Sequence, residues 1–237
     1  MLHLKAFARR CKRLIFKSPT SKDVLVYLGL NKGEMFGRLF AHYRQSYGFE
    51  ADPEMCRYLS EKYTAHKTVH IVNAAVTTED VDRVKYFITD NDSASSSLYR
   101  LKDEWQSERA RRGLSSIKAR ETSVPGINLL KFLTREGVES ITDYISDVEG
   151  MDLAVLRTIE EYIKEKRIVT ITCEVSKSRK HNRHAGCPDN SLEGFMELLD
   201  ENYELIAQGF MPLRDGQFQE VPKESWAMDC KWRLRER

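Results

Sequence analysis

The stretch DVLVYLGLNKGEMFGRLF, residues 23–40, joins a run of apolar residues to a helical pattern through two glycines. Val24 to Leu28 predict a buried strand, because an uninterrupted apolar run suits a strand that is covered on both faces. Glu34 to Tyr43 predict a helix. A strand that ends at Gly29 and a helix that begins after Gly33 place glycine backbone and unpaired helix N–H groups at one point. We expect a ligand to dock at this turn.

The residues that follow repeat the same succession of elements. Ser46 to Asp52 predict a second strand, Pro53 to Tyr63 a second helix and His70 to Val76 a third strand. A β-α-β-α-β order is typical of a parallel sheet with crossover helices. The first half of the chain therefore predicts an α/β fold.

A second half of the sheet is expected further along the chain. Ile141 to Gly150 predict a strand that ends in acids, Met151 to Lys166 a helix and Ile168 to Val175 another strand. Ser191 to Tyr203 have helical spacing, and the segments ELIAQGF and SWAMDCKWRL predict two terminal strands.

The region between the two halves is less regular. Val84 to Asp90 predict one more strand. The charged stretch from Leu101 to Thr122 lacks periodicity, so we expect a loop there.

The totals describe one domain with a short extension. The chain has 237 residues, 41% of them hydrophobic, and a net charge of +2, which is too small to require a polyanionic partner and argues against nucleic acid. Residues 1–20 predict an amphipathic helical extension, and 21–237 one globular domain. The five cysteines of the chain are scattered singly, which predicts a reduced, cytoplasmic location. No segment is apolar enough to span a membrane.

An acidic residue strengthens the case for a nucleoside-type ligand. Glu50 stands at the end of the second predicted strand, about 20 residues beyond the glycine turn, where a carboxylate can accept hydrogen bonds from both hydroxyls of a ribose. The spacing of Gly29, Asn31 and Gly33 is not the dinucleotide pattern and is weak alone. Together, the turn and Glu50 predict a nucleoside cofactor.

Several motifs in this order resemble the FkbM family of S-adenosylmethionine-dependent O-methyltransferases. They are VLVYLGLNKGEMFGRLF, FEADPEMCRYL, VNAAV, SASSSL and above all SDVEGMDLAVL, which together extend from about residue 23 to about residue 210. The resemblance implies a Rossmann-like, doubly wound, seven-stranded methyltransferase sheet with helices on both faces and an antiparallel C-terminal strand. One departure is Tyr27-Leu28, where the family usually has an acidic or polar strand end.

The resemblance also implies where S-adenosylmethionine binds. The methyl donor would lie across the glycine turn, with its ribose on Glu50 and its adenine near the end of the third strand. The residues expected to contact it are Gly29, Asn31, Gly33, Glu50, Ala51, Asn73, Ala74, Ser97 and Asp147.

Three carboxylates are expected to converge on the same crevice. Asp147 and Glu149 follow the fourth large strand and Glu174 ends the fifth, and the carboxyl ends of parallel strands meet at one edge. We favour Asp147 as general base or hydroxyl acceptor, although Asp147 and Glu149 also suit a helix N-terminus. His181 or His184, in the loop after the fifth strand, is an alternative base.

A metal ion is a further alternative for this cluster. Clustered acids can bind Mg²⁺, and the carboxylates alone do not choose between a base and a Mg²⁺ site. Zinc is set aside, because His181, His184 and Cys187 lack a fourth ligand at a recognised spacing.

The function expected from these residues and the resemblance is O-methylation of a sugar or glycan hydroxyl, with a small-molecule or glycan acceptor. One alternative is an RNA-modifying methyltransferase, prompted by basic runs such as Arg109 to Arg112 and by Lys231-Trp232-Arg233. The other is a catalytically silent scaffold, which the Tyr27-Leu28 departure leaves open.

Overall fold

A large and a small sheet make up the part of the chain, residues 23–210 and 218–236, that the computed structural model describes. The predicted helical extension at residues 1–20 lies outside the described residues. The strands are β1 Val24–Leu28, β2 Gln45–Glu50, β3 Val69–Asn73, β4 Ala75–Thr77, β5 Val81–Thr89, β6 Ala119–Asn128, β7 Ile141–Ser146, β8 Ile168–Ser176, β9 Tyr203–Gly209 and β10 Ala227–Leu234. The helices are α1 Glu34–Leu39, α2 Pro53–Tyr63, α3 Asp103–Arg111, α4 Leu129–Arg135, α5 Asp152–Thr158, α6 Glu160–Lys164 and α7 Leu192–Leu199.

The large sheet confirms the predicted doubly wound topology. Its seven strands have the order β3-β2-β1-β7-β8-β10-β9, and the strand pairs from β3 to β8 are parallel. β10 is antiparallel to both of its neighbours, β8 and β9, which confirms the predicted antiparallel C-terminal strand. The carboxyl ends of β1, β2, β7 and β8 consequently meet at one edge.

β1 shows why the central strands are apolar throughout. All five of its residues are buried. Val24, Val26 and Leu28 pack in the core on one face of the sheet, whereas Leu25 and Tyr27 pack on the other face with residues of α1 and α2. Because successive strand residues point to opposite faces, a strand covered on both faces has to be apolar at every position.

The small sheet, with the order β4-β6-β5, corrects two predictions. The predicted third strand divides into β3 of the large sheet and β4 of the small one. The predicted loop from residue 101 to 122 is wrong, because it contains α3 and the first part of β6. The residues of α3 are all partly or fully exposed, so the helix has no apolar stripe that a periodicity could reveal.

One predicted helix also divides. The helical pattern of residues 151–166 forms α5 and α6, which are separated at Ile159. Within the described residues, no helix is long and apolar enough to cross a membrane.

Candidate active site

The turn after β1 is held tightly against the loop after β7. Gly29 has a φ of +77°, and a Cβ atom on it would lie 1.8 Å from the carbonyl oxygen of Asp147. The N–H of Asp147 in turn donates a 3.0 Å hydrogen bond to the carbonyl of Leu28. Gly29 is therefore required by contact within the protein, and its backbone also lines the cleft described below.

At position 33, a glycine is needed for packing between two helices, whereas the sequence suggested contact with a ligand. Its φ is +67°, and an added Cβ would lie 2.5 Å from Cδ2 of Leu59 in α2. Tyr63 also donates a 3.0 Å hydrogen bond to the Gly33 carbonyl. Gly33 lets α1 pack against α2, and it lies outside the set of residues that line the cleft.

The carboxylate of Glu50 connects the turn after β1 to the end of β2. Its Oε2 accepts a 2.7 Å hydrogen bond from the N–H of Asn31, and its Oε1 accepts a 2.8 Å hydrogen bond from the N–H of Asp52. The side chain is only 6% exposed, and this burial raises the pKa of Glu50 to about 7 in spite of the two hydrogen bonds. Each carboxylate oxygen keeps a second lone pair for a ligand hydroxyl.

A cleft lies between these strand ends and the small sheet. It is lined by Gly29, Asn31, Phe49, Glu50, Ala51, Ala74, Ala75, Val76, Tyr86, Ser93, Ala94, Ser96, Leu98, Asp147, Val148, Glu149 and Met151. Most of the predicted cofactor residues therefore come together in one cleft.

Two predicted cofactor residues lie behind this lining. Nδ2 of Asn73 donates to the carbonyls of Glu50 and Ala51, at 2.9 and 3.4 Å. Oγ of Ser97, which is buried, donates a 2.7 Å hydrogen bond to the carbonyl of Glu149. Both residues support the backbone of cleft residues, and Ser93 and Ser96 are the members of the serine cluster that reach the lining.

The serine segment is tied across the mouth of the cleft. Asp92 and Ser93 both have left-handed backbone, with φ of +58° and +59°. Ser93 donates a 2.9 Å hydrogen bond to Asp52, and the side chain of Asn31 donates one of 3.2 Å to the carbonyl of Asp92. Lys32 adds a 2.9 Å ion pair to Asp92. The segment thus closes the side of the cleft nearest Glu50.

The three predicted carboxylates do converge. One oxygen from each of Asp147, Glu149 and Glu174 lies within 4.8 Å of the others. Nη2 of Arg183 donates to Glu149 at 2.8 Å and also to Glu174. Asp147 keeps an exposed side chain that lines the cleft. Arg183 thus pairs with two carboxylates, and the third faces the cleft.

Crowding of the carboxylates perturbs their protonation. One side of Asp147 is open, but loss of water on its other sides and repulsion from Glu174 raise its pKa well above the usual range. Burial raises the pKa of Glu149 as well, and the guanidinium of Arg183 opposes that shift. A carboxylate with a raised pKa is a stronger proton acceptor once it is ionised.

Asp152 fixes the shape of the loop that carries Asp147 and Glu149. Its fully buried carboxylate accepts hydrogen bonds from Oγ of Ser146 at 2.6 Å and from the N–H groups of Val148 at 3.0 Å and Gly150 at 3.4 Å. Asn190 donates to it at 3.3 Å and also donates to the carbonyl of Glu174. The loop after β7 is thereby tied to the end of β8.

The two histidines of the loop after β8 have different environments. His181 is exposed, lies 2.7 Å from Oγ of Ser178, packs edge-on against Trp226 and is not part of the cleft lining. His184 is buried, and burial and the charge of Arg183 lower its pKa to about 3, so the imidazole is neutral. Its Nε2 lies 3.7 Å from Oε2 of Glu149.

Sequence reasoning missed Arg183 and Asn190. Both residues lie in the loop after β8, where the sequence pointed only to the two histidines. The signal that could have identified Arg183 is electrostatic, because three carboxylates predicted at one edge require a nearby cation.

Comparison with known proteins identifies the family. A model of the methyltransferase FkbM domain matches residues 28–205. No curated protein matches the chain. Among solved structures, the methyltransferase FkbM from Methylobacillus flagellatus KT is 13% identical over 90% of this chain and 44% of that one, with a TM-score of 0.49.

Two further structures have similar coverage of this chain. The 23S rRNA methyltransferase ErmE is 16% identical over 92% of this chain and 64% of that one, with a TM-score of 0.43. The N-methyltransferase NodS from Bradyrhizobium japonicum WM9 is 10% identical over 91% and 86%, with a TM-score of 0.45. The chain spans less than half of the length of the Methylobacillus protein and less than two thirds of ErmE. The family match covers three quarters of the sequence, and the chain therefore belongs to the FkbM family of S-adenosylmethionine-dependent methyltransferases.

Proposed function

We propose that this protein transfers a methyl group from S-adenosylmethionine to a hydroxyl of a sugar or glycan. The observation that carries the proposal is the position of Asp147, which is exposed to the cleft beside two carboxylates that Arg183 already pairs. Methylation of an alcohol requires a group that orients the hydroxyl and accepts its proton. Asp147 is suited to this task.

The cleft has the chemistry that the cofactor requires. Phe49, Val76 and Leu98 offer apolar surface for a planar heterocycle, and Ala51 and Ala74 leave room close to the backbone. Glu50 offers free lone pairs to the two ribose hydroxyls.

The residues of this chain would divide the work of the reaction. Bound S-adenosylmethionine supplies an electrophilic methyl group. Asp147 would hold the acceptor hydroxyl in line with that methyl group and take its proton as the new oxygen–carbon bond forms. Phe49, Leu98 and Met151 would keep bulk water away from the reacting atoms.

The charge of the site supports a neutral polyhydroxy acceptor. Asp147, Glu149 and Glu174 lie together at the sheet edge, and sugar hydroxyls donate readily to carboxylates. The same carboxylates would repel the phosphates of RNA, which disfavours the RNA-modifying alternative. Mg²⁺ is not part of the proposal, because Arg183 already contacts two of the three carboxylates. A cytoplasmic location stays a prediction.

Binding of the cofactor is the first test. Calorimetry with S-adenosylmethionine should detect binding by the wild type, and Glu50→Ala should weaken it at least tenfold, about 1.4 kcal/mol. Glu54→Ala is the matched control, because Glu54 is exposed in the first turn of α2 and lies outside the cleft lining. A folded wild type that does not bind S-adenosylmethionine would contradict the proposal and favour the silent scaffold.

A further inference from the structure

The carboxylate cluster at the edge of the large sheet contains a cation that the chain itself provides. Nη2 of Arg183 donates to Oε2 of both Glu149 and Glu174. The side chains of Arg183, Glu149 and Glu174 are only 18%, 9% and 17% exposed, so this contact is largely shielded from water. Ion pairs in such surroundings are screened much less than exposed ones.

Without the guanidinium, the same groups would form a metal-binding set. One oxygen from each of Asp147, Glu149 and Glu174 lies within 4.8 Å of the others. Opposite oxygens around a Ca²⁺ ion are about 4.6–5.2 Å apart, twice the usual Ca–O distance, so this spacing suits a divalent ion. The carboxylates therefore have a spacing that suits cation ligands, and each can offer a second oxygen.

His184 supplies a second, independent indication of a ligand site. The side chain is 2% exposed, and its Nε2 has no hydrogen-bond partner within 3.5 Å among the described residues, although the backbone of Ser95 interacts with the imidazole. That atom lies 3.7 Å from Oε2 of Glu149, at the cluster. A buried nitrogen without a partner costs free energy, and a metal ion is one of the groups that could satisfy it.

Hydrogen bonds hold the backbone around Arg183 in place. The N–H of Lys102 donates a 2.9 Å hydrogen bond to the carbonyl of Arg183, and the N–H of Ala185 donates one of 2.8 Å to the carbonyl of Arg100. The N–H of His184 is bonded to Oδ1 of Asn182 at 3.0 Å. The position of Arg183 is therefore set by the fold and not by the carboxylates alone.

Arg183 contacts and orients Glu149, a residue with a strained backbone conformation. Its φ is +54°, in the left-handed region that residues with side chains seldom adopt. Ser97 holds the Glu149 carbonyl, and Arg183 holds its carboxylate. Strain of this kind persists where the surroundings fix it, and it is frequent at functional sites.

We propose that Arg183 is the cation of this site and that its guanidinium occupies the place of a divalent metal ion. It positions Glu149 and Glu174, so that Asp147 is the carboxylate available to the acceptor. The role of Asp147 rests on the proposed function, whereas the exclusion of metal does not. Arg183 is thus a positioning residue that makes the site independent of metal ions.

The proposal predicts that removing Arg183 creates a metal site. Metal-free wild type, Arg183→Ala, Arg183→Gln and Arg183→Lys are titrated with Ca²⁺ and Mn²⁺ by calorimetry, after circular dichroism has confirmed folding. We expect the Ala and Gln variants to bind at least tenfold more tightly than the wild type and to gain thermal stability from the ions. Arg183→Lys retains the charge and should behave like the wild type.

A second arginine of the same loop offers a matched control. Arg179 also contacts two carboxylates, Asp189 at 3.2 Å and Glu197 at 2.8 Å, but it is 58% exposed. Arg179→Ala should therefore gain no metal binding. The double variant Arg183→Ala/Glu174→Gln should lose most of the binding that Arg183→Ala gains, which assigns the ion to this cluster.

Either of two results would overturn the proposal. One is a wild type that binds Ca²⁺ or Mn²⁺ as tightly as Arg183→Ala, and the other is a folded Arg183→Ala or Arg183→Gln that binds neither ion. Both outcomes can be read without an acceptor. Failure of the proposed function is a separate result, because it appears as absent S-adenosylmethionine binding in the wild type.

Discussion

Gly29 lies so close to the carbonyl of Asp147 that a Cβ atom would be 1.8 Å from that oxygen. The contact joins the two loops that leave the carboxyl ends of β1 and β7. Because Asp147 is the proposed base and Gly29 lines the proposed cofactor cleft, this contact would set the distance between the methyl donor and the acceptor.

Three glycines with similar φ separate backbone strain from steric overlap. Gly29→Ala should destabilise the fold by about 3 kcal/mol or more, since about 1–2 kcal/mol of left-handed strain adds to a clash with a rigid backbone atom. Gly33→Ala should cost less, because it meets the flexible end of Leu59. Gly113 has a φ of +73°, and an added Cβ would meet no atom of the described residues within 4 Å. Gly113→Ala should therefore show the strain alone. Urea unfolding measures all three, and equal losses would contradict the assigned overlap.

The raised pKa of Glu50 predicts a dependence of stability on pH. The folded value is about 7 against an ordinary 4.5, so the contribution of Glu50 is fully present below pH 4.5 and is lost as the pH rises through 7. Relative to Glu50→Gln, the wild type should lose about 2–3 kcal/mol of unfolding free energy between pH 5 and pH 8. Denaturant titrations of both proteins at the two pH values test this. A constant difference between them would mean that Glu50 is not perturbed.

Asp147→Asn should separate binding from chemistry. The amide keeps the size of the side chain but cannot take a proton, so methyl transfer should fall by about 10²-fold or more. Binding of S-adenosylmethionine should change less than threefold, or about 0.6 kcal/mol. Transfer of labelled methyl groups to a panel of sugars provides the rate, and calorimetry provides the affinity. Full activity of the variant would remove Asp147 as the base.

Asp152 should be needed for the shape of the catalytic loop. Asp152→Ala leaves the buried N–H of Val148 and the hydroxyl of Ser146 without their acceptor, which should cost about 3 kcal/mol. Asp200→Ala is the control, because Asp200 is exposed at the end of α7 and its loss should stay within about 0.5 kcal/mol. Chemical unfolding of the two variants gives the comparison. Similar losses for both would show that the Asp152 network is not required.

Much of the fold was predictable because it depends on local patterns. The five apolar residues of β1 and the helix from Pro53 to Tyr63 have the predicted bounds, and the latter begins after the N-cap Asp52, which accepts from the N–H of Glu54. β6 was missed because its first half is exposed and its sequence includes Pro125 and Gly126.

Hydrophobic periodicity in the sequence predicted a parallel α/β sheet and placed Asp147, Glu149 and Glu174 at one edge of it. The doubly wound, seven-stranded topology followed from the resemblance to the FkbM family. Only the tertiary structure decided which cation pairs with Glu149 and Glu174. Arg183 lies 34 residues from Glu149 along the chain, and the loop that carries it is fixed by bonds to the segment at Arg100 and Lys102. Contacts between distant segments of this kind leave no periodic signal, because they depend on where loops meet after the sheet has formed.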